Sequence, residues 1–138
     1  MPTSSLPRAQ RATLLRTAKA SAKRAYAPYS HFPVGAAILT GSGKIYGGCN
    51  VENASYGLCN CAERTAIFSA VASGEERVKA VVVYTPTPSP TMPCGACRQV
   101  INEFGPDAVV ISVCDGGETI ETTLGALLPG AFGPDSLA

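Results

Sequence analysis

Residues 85–93 restrict the fold of this chain strongly, because four residues of this short segment are prolines. Proline has no backbone N–H and a fixed φ, so the segment cannot form a helix or a central strand. A β-branched run at 80–84 ends just before it and is typical of a buried strand. A helical pattern begins just after it, at about Cys94. The sequence therefore predicts a strand and a helix joined by an irregular loop, with Cys94 at the start of the helix.

Hydrophobic spacing and turn residues predict the other elements. A glycine pair around Ser42 indicates a hairpin, Gly74 is placed to end a helix, and Pro28 stops the first helix before it. This order of elements is that of an α/β domain in which helices cover a sheet. In chain order we predict a helix at 8–25, strands at 34–40 and 45–49, a loop at 50–60, a helix at 61–73, a strand at 80–84, a helix from about 94 to 105, strands at 108–114 and 118–122, and a short helix at 124–128.

Composition excludes several classes of protein. The 138 residues suit one domain, which we place at 1–138 with a core at about 8–132 and short flexible termini. With 46% hydrophobic and 15% charged residues, the chain is unlike a disordered one. The sequence contains no apolar run near the ~18 residues that a membrane span needs, and residues 1–10 lack the apolar stretch of a secretory signal. We therefore expect a cytoplasmic protein that does not bind membranes.

The charges are unevenly distributed although the net charge is only +1. Residues 1–51 carry seven bases and no acid, whereas residues 52–138 carry all ten acids. Such a basic segment can bind nucleic acid or anionic lipid, or act as an organelle-targeting segment. Helical spacing favours another interpretation, in which the bases form the solvated face of an amphipathic helix. The near-neutral total also disfavours a strong binder of nucleic acid.

The cysteines carry the clearest chemical signal. Cys94-Gly-Ala-Cys97 has a spacing that suits either two ligands of one zinc ion or a redox pair. Cys61-Ala62-Glu63 begins the other predicted helix, so three thiolates and a carboxylate could converge from two helix N-termini. Three protein ligands leave the fourth tetrahedral position open, which is the arrangement of a catalytic zinc. Arg64 supplies a cation that balances the thiolate charge.

Alternative interpretations remain open from these residues alone. The same cysteines could be buried thiols, or ligands of a structural zinc with Cys59 as the fourth. Cys49 and Cys114 end apolar strands, and we expect them to pack in the core.

The motifs together resemble the small three-cysteine class of cytidine deaminases. Cys61-Ala62-Glu63-Arg64 and the segment 93–99 are similar to the two zinc motifs of that family. Residues 29–36, 50–57 and 127–132 resemble three further segments, so the similarity covers about residues 10–132. Cys59 departs from the family pattern, in which threonine or serine is more usual. For the fold, the resemblance implies a three-layer α/β/α sandwich around a mixed sheet of about five strands.

The resemblance also implies a reaction. Cys61, Cys94 and Cys97 would hold one Zn²⁺ per chain, and zinc-bound hydroxide would attack C4 of cytosine. Glu63 would carry protons between water, N3 and the departing amine. The products would be uridine or 2′-deoxyuridine and ammonia, as in pyrimidine salvage.

Substrate contacts follow from the same resemblance. Asn50 and Glu52 would bind the ribose hydroxyls, and a carboxylate there would repel a phosphate, which favours free nucleosides over nucleotides and polynucleotides. Phe32 would stack near the base, and the backbone at Ala62 would contact the pyrimidine edge. The family forms homotetramers, in which Ala54, Tyr56 and Phe132 would reach the site of a neighbouring chain.

Two alternative functions are also considered. One is deamination of a modified cytosine nucleoside, which uses the same chemistry. The other is a non-catalytic zinc or nucleic-acid-binding module, suggested by the basic first helix.

Overall fold

A mixed five-stranded sheet lies between helices on both of its faces, which confirms the predicted fold class. The strand order is β2-β1-β3-β4-β5, in which only the β3–β4 pair is parallel among the described strands. The computed structural model describes residues 6–137, so part of the predicted flexible termini (1–5 and 138) lies outside the described residues. The elements are α1 (Arg8–Ala22), β1 (Gly35–Thr40), β2 (Ile45–Cys49), α2 (Ala62–Ala72), β3 (Val78–Tyr84), α3 (Gly95–Phe104), β4 (Val109–Val113), β5 (Ile120–Thr123) and α4 (Leu124–Leu127), with short 3₁₀ turns at Tyr56–Leu58 and Pro134–Leu137.

Alternation along the strands divides the core into two layers. In β1, Ala36 and Ile38 pack on the side of α2 and α3, whereas Ala37 and Leu39 pack on the side of α1. Successive side chains of a strand point to opposite faces, so a strand that is buried throughout must have cover on both sides. All six residues of β1 are buried, as this arrangement requires. The helices are therefore bound to the sheet on both faces by apolar contacts.

Helix α1 shows the amphipathic pattern that its sequence predicts, but it ends earlier. Leu14 and Ala18 are fully buried, and the basic side chains on the other face, among them Arg16 and Lys19, are exposed. The predicted end at residue 25 is wrong, because the α-helix stops at Ala22. The chain continues for three residues in tighter turns whose N–H groups bond carbonyls three residues earlier. Tyr26 then bonds the carbonyl of Asn50 at 3.0 Å, which draws the chain away from the helix axis.

Other element boundaries move by one or two residues. Strand β3 begins at Val78 rather than residue 80, because Val78 pairs with Thr40 across a bulge. Val34 is not part of β1, since its N–H donates to the side chain of Asn50 at 2.8 Å. The predicted loop at 50–60 contains one short 3₁₀ turn. The remaining strand and helix ends fall close to their predicted positions.

The proline-rich segment is irregular, as predicted, and lies against the end of β4. The thiol of Cys114 donates to the carbonyls of Pro88 and Glu118 at 3.6 and 3.4 Å, and the N–H of Asp115 donates to Thr87 at 3.0 Å. Cys114 is buried, as expected of a core thiol, whereas Cys49 is only half-buried. These bonds hold the loop where β3 and β4 end and α3 begins.

Two glycines allow the helices to approach the sheet closely. A Cβ on Gly35 would collide with the backbone of Ala18 in α1, and a Cβ on Gly48 would collide with the backbone of Ala66 in α2. Close packing of α2 on the hairpin sets the position of its first turn. Within residues 6–137, no helix is long and apolar enough to cross a membrane.

Candidate active site

Three thiols meet where α2 and α3 begin. Cys61 is the N-cap of α2 and Cys94 is the N-cap of α3, while Cys97 lies one turn into α3 and is fully buried. The Sγ atoms of Cys61 and Cys94 are 3.9 Å apart, and those of Cys94 and Cys97 are 3.5 Å apart. All three lie within 4.8 Å of one another. Two short helices that start at the same edge of the sheet thus bring together cysteines that are far apart in the sequence.

Hydrogen bonds polarise this cluster. The bond from the Cys97 thiol, together with the Arg64 guanidinium, lowers the pKa of Cys61 to about 5. The same bond between Cys61 and Cys97, and burial, raise the pKa of Cys97. Nη2 of Arg64 donates to Sγ of Cys61 at 3.2 Å, which agrees with its expected charge-balancing position. A lowered pKa favours the thiolate form of Cys61, which is the form that binds metal.

The cluster has the dimensions of a zinc site. With Zn–S bonds of ~2.3 Å, tetrahedral geometry separates two sulfur ligands by about 3.8 Å. The two measured separations, 3.9 and 3.5 Å, lie close to this value. Three soft thiolate donors also suit zinc chemically. Because three ligands leave one tetrahedral position for water or substrate, the residues present fit a catalytic zinc.

Glu63 lies beside the cluster in the first turn of α2. Its side chain is only 4% exposed, which is unusual for a carboxylate. Burial raises the pKa of Glu63 above the usual range of glutamate. A buried carboxyl group next to a metal site can accept and release a proton during a reaction.

The cluster and Glu63 lie at one end of an open cavity of about 380 Å³. This volume is within the range of small-molecule sites. We call Cys61, Glu63 and Cys94, which line the cavity, together with the buried Cys97 of the same cluster, the thiol end. The cavity is lined by Ser30, Phe32, Val34, Asn50, Glu52, Cys61, Ala62, Glu63, Val83, Thr85, Thr91, Met92 and Cys94.

Ser30, Asn50 and Glu52 form what we call the loop end of the cavity. The amide of Asn50 accepts from the N–H of Val34 at 2.8 Å and donates to the carbonyl of Phe32 at 2.9 Å. The carboxylate of Glu52 accepts from both the backbone and the side chain of Ser30. These hydrogen bonds lower the pKa of Glu52, with the Ser30 hydroxyl as the largest cause. The loop end therefore offers an ionised carboxylate and an amide to a polar ligand.

Known proteins match the chain over nearly all of this architecture. The family model of the cytidine and deoxycytidylate deaminase zinc-binding region matches residues 8–113. The cytidine deaminase of Sporosarcina psychrophila is 48% identical over 126 residues, which cover 91% of this chain and 93% of the relative. The chain belongs to the cytidine deaminase family. The match to the zinc-binding region and the three-thiol cluster together agree with one zinc per chain.

Solved structures of cytidine deaminases have the same fold. The crystal structure of the Burkholderia pseudomallei cytidine deaminase superposes with a TM-score of 0.84 at 53% identity, covering 88% of this chain and 98% of that one. For the cytidine deaminase of Mycobacterium tuberculosis the TM-score is 0.77 at 41% identity, covering 89% and 97%. At these identities the likeness extends beyond the fold to the family.

Three residues that the family resemblance singled out are not part of the cavity wall within one chain. Ala54 is exposed, Tyr56 is 73% exposed and Phe132 is 60% exposed, and none of them lines the cavity. The carbonyl of Phe132 accepts from Gln99 at 2.8 Å, so the C-terminal segment is held on α3. Within one chain of this deaminase, these side chains remain available to another molecule.

Cys59 is outside the metal-binding group of thiols in the described part of the chain. Its thiol instead accepts from the N–H of Asn53 at 3.3 Å. A four-cysteine structural site is therefore not formed, and the extra thiol holds the loop at 53–59.

Sequence reasoning missed part of the cavity wall. Val34, Val83 and Thr85 lie near strand ends, and Thr91 and Met92 belong to the proline-rich loop. The loop was predicted, but no residue pattern indicated which of its side chains would face the cavity. Ser30 lies in the segment 29–36 that resembles the family, but nothing in the sequence indicates that it contacts Glu52.

Proposed function

We propose that this chain hydrolytically deaminates free cytidine and 2′-deoxycytidine to uridine and 2′-deoxyuridine, with release of ammonia. The observation that carries the proposal is the thiol end, where the buried carboxyl of Glu63 adjoins three converging thiols in an open cavity. A buried acid beside an open zinc site suits a hydrolysis that must move protons. Membership of the family supports the same reaction.

In this mechanism Cys61, Cys94 and Cys97 would hold zinc, which would supply Lewis-acid chemistry that lowers the pKa of a water molecule. The carboxylate of Glu63 takes a proton from that water and delivers it to N3 of the ring. After C4 bonds to oxygen, Glu63 carries the second proton to the amino nitrogen, and the C4–N bond breaks with loss of ammonia. Water and cytidine are consumed, and uridine and ammonia are formed.

The rest of the cavity binds and orients the nucleoside. Asn50 and Glu52 form hydrogen bonds with the ribose hydroxyls at the loop end, and Phe32 packs against the base. The backbone at Ala62, directly between Cys61 and Glu63, contacts the pyrimidine edge. The positions of these residues around one cavity support their roles.

Glu52 also favours a nucleoside over a nucleotide. Its carboxylate is ionised, and its hydrogen bonds to Ser30 lower its pKa. A phosphate next to this carboxylate would be repelled, and its desolvation would be poorly compensated. This selectivity suits salvage of free pyrimidine nucleosides. The six unpaired thiols suit a reducing compartment, so we place the enzyme in the cytoplasm.

We assign the enzyme a homotetrameric state, in which each cavity is completed by neighbouring chains. The large exposed fractions of Tyr56 and Phe132 support this assembly, because exposed aromatic side chains are enriched at interfaces. Ala54, in the same loop as Tyr56, reaches the neighbouring site with them. Light scattering of the purified enzyme should give the mass of four chains, and a stable active monomer would contradict the assignment.

The reaction is tested with zinc-loaded protein and cytidine, deoxycytidine, cytidine monophosphate, a modified cytosine nucleoside and a cytosine-containing oligonucleotide. We expect the ultraviolet spectrum of the two free nucleosides to change to that of their uracil products, with ammonia released in equal amount. Preferred turnover of the modified nucleoside would move the assignment to that substrate. An unchanged cytidine spectrum over hours, with tight salt-sensitive binding of the oligonucleotide, would favour a non-catalytic binding module.

A further inference from the structure

The side-chain hydroxyl of Ser30 takes part in two hydrogen bonds at the loop end. It donates to Oε2 of Glu52, and it accepts from the N–H of Phe32 at 3.1 Å. The backbone N–H groups of Tyr29 and Ser30 donate to Oε1 of Glu52 at 3.0 and 3.1 Å. A hydroxyl has one hydrogen to donate, and here Glu52 receives it. Ser30 thus connects two residues that line the cavity, through the carboxylate of Glu52 and the backbone N–H of Phe32.

The bonds to Glu52 leave little acceptor capacity unused. A carboxylate has about four acceptor sites. Two on Oε1 are occupied by backbone N–H groups, and one on Oε2 is occupied by the Ser30 hydroxyl. The remaining site is on Oε2, the oxygen that Ser30 holds. The direction in which Glu52 can accept a further hydrogen bond is therefore set by Ser30.

We propose that Ser30 is a positioning residue for substrate binding. Its hydroxyl fixes Oε2 of Glu52 so that the remaining acceptor site receives one ring hydroxyl of the sugar, and it fixes the backbone of Phe32 at the same time. The inference rests on the proposed function, because the sugar belongs to the proposed substrate. Ser30 itself does not contact the reacting atoms.

The backbone next to Ser30 shows why this contact is needed. His31 has φ of 54°, a left-handed conformation that non-glycine residues rarely adopt. Its own N–H bonds the carbonyl of Ala27 at 3.0 Å, but the path from Ser30 to Phe32 passes through this unfavourable conformation. The hydroxyl of Ser30 closes the turn across His31 by accepting from Phe32. His31 is thus held by two hydrogen bonds, its own to Ala27 and that of Phe32 to the Ser30 hydroxyl.

The surroundings of Glu52 indicate what happens without the hydroxyl. Ser30 and Glu52 also line a second, smaller hollow of about 260 Å³ together with Tyr29, Tyr56 and Cys59. With Ser30 replaced by alanine, Oε2 loses its partner and can turn towards this hollow. Nucleoside binding then weakens, whereas the thiol end, on other elements, keeps its chemistry.

The test compares S30A with S30T on two substrates, cytidine and 2′,3′-dideoxycytidine, which lacks both ring hydroxyls. For cytidine, S30A should raise KM about ten-fold with little change in kcat, the loss expected for a weakened hydrogen bond to a charged group. For the dideoxynucleoside, S30A should raise KM, or Ki measured by competition with cytidine turnover, far less than ten-fold, because only the bond to the backbone of Phe32 still bears on its binding. S30T retains a hydroxyl and should restore most of the affinity for cytidine.

S73A is the matched control, because the Ser73 hydroxyl also donates one hydrogen bond, to the carbonyl of Ser69 at 2.9 Å, but lies outside both hollows. Equal effects of S30A on both nucleosides, or a fall in kcat alone, would show a general structural role and overturn the inference. So would an unchanged KM for cytidine. An unmodified enzyme that turns over neither nucleoside would instead overturn the proposed function, and the positioning role with it.

Discussion

The thiol end and the loop end of the cavity are built by different means. At the thiol end, Cys61 and Cys94 cap two helices whose own hydrogen bonds hold the backbone. At the loop end, Asn50 and Glu52 stand in irregular segments and bond residues 16 to 23 positions away. There the side chains that face the cavity also hold the backbone around it.

At the thiol end, the side chains that carry the chemistry do not hold the backbone. At the loop end, the same side chains do both. A substitution of Glu63 removes a proton carrier while α2 keeps its backbone. A substitution of Asn50 removes a ligand contact and also releases the segment at 32–34. Substitutions at the thiol end should therefore change metal content and kcat. Substitutions at the loop end should change KM and stability together.

The largest effect is expected for C94A. Cys94 lies within hydrogen-bond distance of both other thiols, and two protein ligands hold zinc far less tightly than three. We expect the zinc-to-protein ratio, measured by elemental analysis, to fall close to zero, with loss of turnover. C49A is the control. Because Cys49 lies outside the cluster, this variant should keep its zinc. A full zinc complement in C94A would contradict the ligand set.

E63Q should keep both fold and zinc but lose most of its turnover. Glutamine has nearly the same shape but cannot exchange a proton, and general acid–base catalysis contributes about 10²- to 10⁴-fold. Steady-state kcat and metal content measured on one sample test this prediction. E103Q is the control, since Glu103 is exposed on α3. Retained kcat in E63Q would mean that another group moves the proton.

The sequence predicted the two ends unequally, for a physical reason. Cys61, Glu63, Cys94 and Cys97 lie at or near helix starts, where local spacing determines which side chains meet. The match of α2 and α3 to their predicted ranges follows from the same local signals.

The loop end depends on contacts between distant segments. No local pattern indicates that His31 adopts a positive φ, or that Ser30 reaches Glu52 across 22 positions. The end of α1 was misplaced for the same reason, because a bond from Tyr26 to Asn50 decides where the chain turns away. Only the family resemblance indicated Asn50 and Glu52 as site residues. The hydrogen bonds by which they hold the backbone depend on the three-dimensional structure.

N50A should have a smaller effect than either change at the thiol end, but one that affects two quantities. Its amide holds the N–H of Val34 and the carbonyl of Phe32. Leaving such groups without partners costs about 1–3 kcal/mol each where they are buried. We expect KM for cytidine to rise about ten-fold and the thermal midpoint to fall.

N53A is the control for N50A, because Asn53 lies in the same loop but outside the cavity. A changed kcat with unchanged KM and stability would contradict the distinction between the two ends.

The smallest effect concerns the pH dependence of the loop end. Hydrogen bonds, first that of the Ser30 hydroxyl, hold the pKa of Glu52 below the usual value of glutamate. A carboxyl whose pKa is lowered by folding stabilises the protein above its unfolded pKa, and this contribution is lost as pH falls through the folded value. E52Q cannot accept all three bonds, because an amide nitrogen, which accepts no hydrogen bond, replaces one of the two carboxylate oxygens. The unmodified protein should therefore melt at a slightly higher temperature than E52Q at neutral pH, and this difference should shrink on acidification and vanish below the lowered pKa. Thermal midpoints of both proteins across the acidic range measure this difference.

A difference that is constant with pH would show that the shape of the Glu52 side chain, and not its charge, holds the segment at 29–30. The stability of the loop end would then be as insensitive to ionisation as that of a packed core.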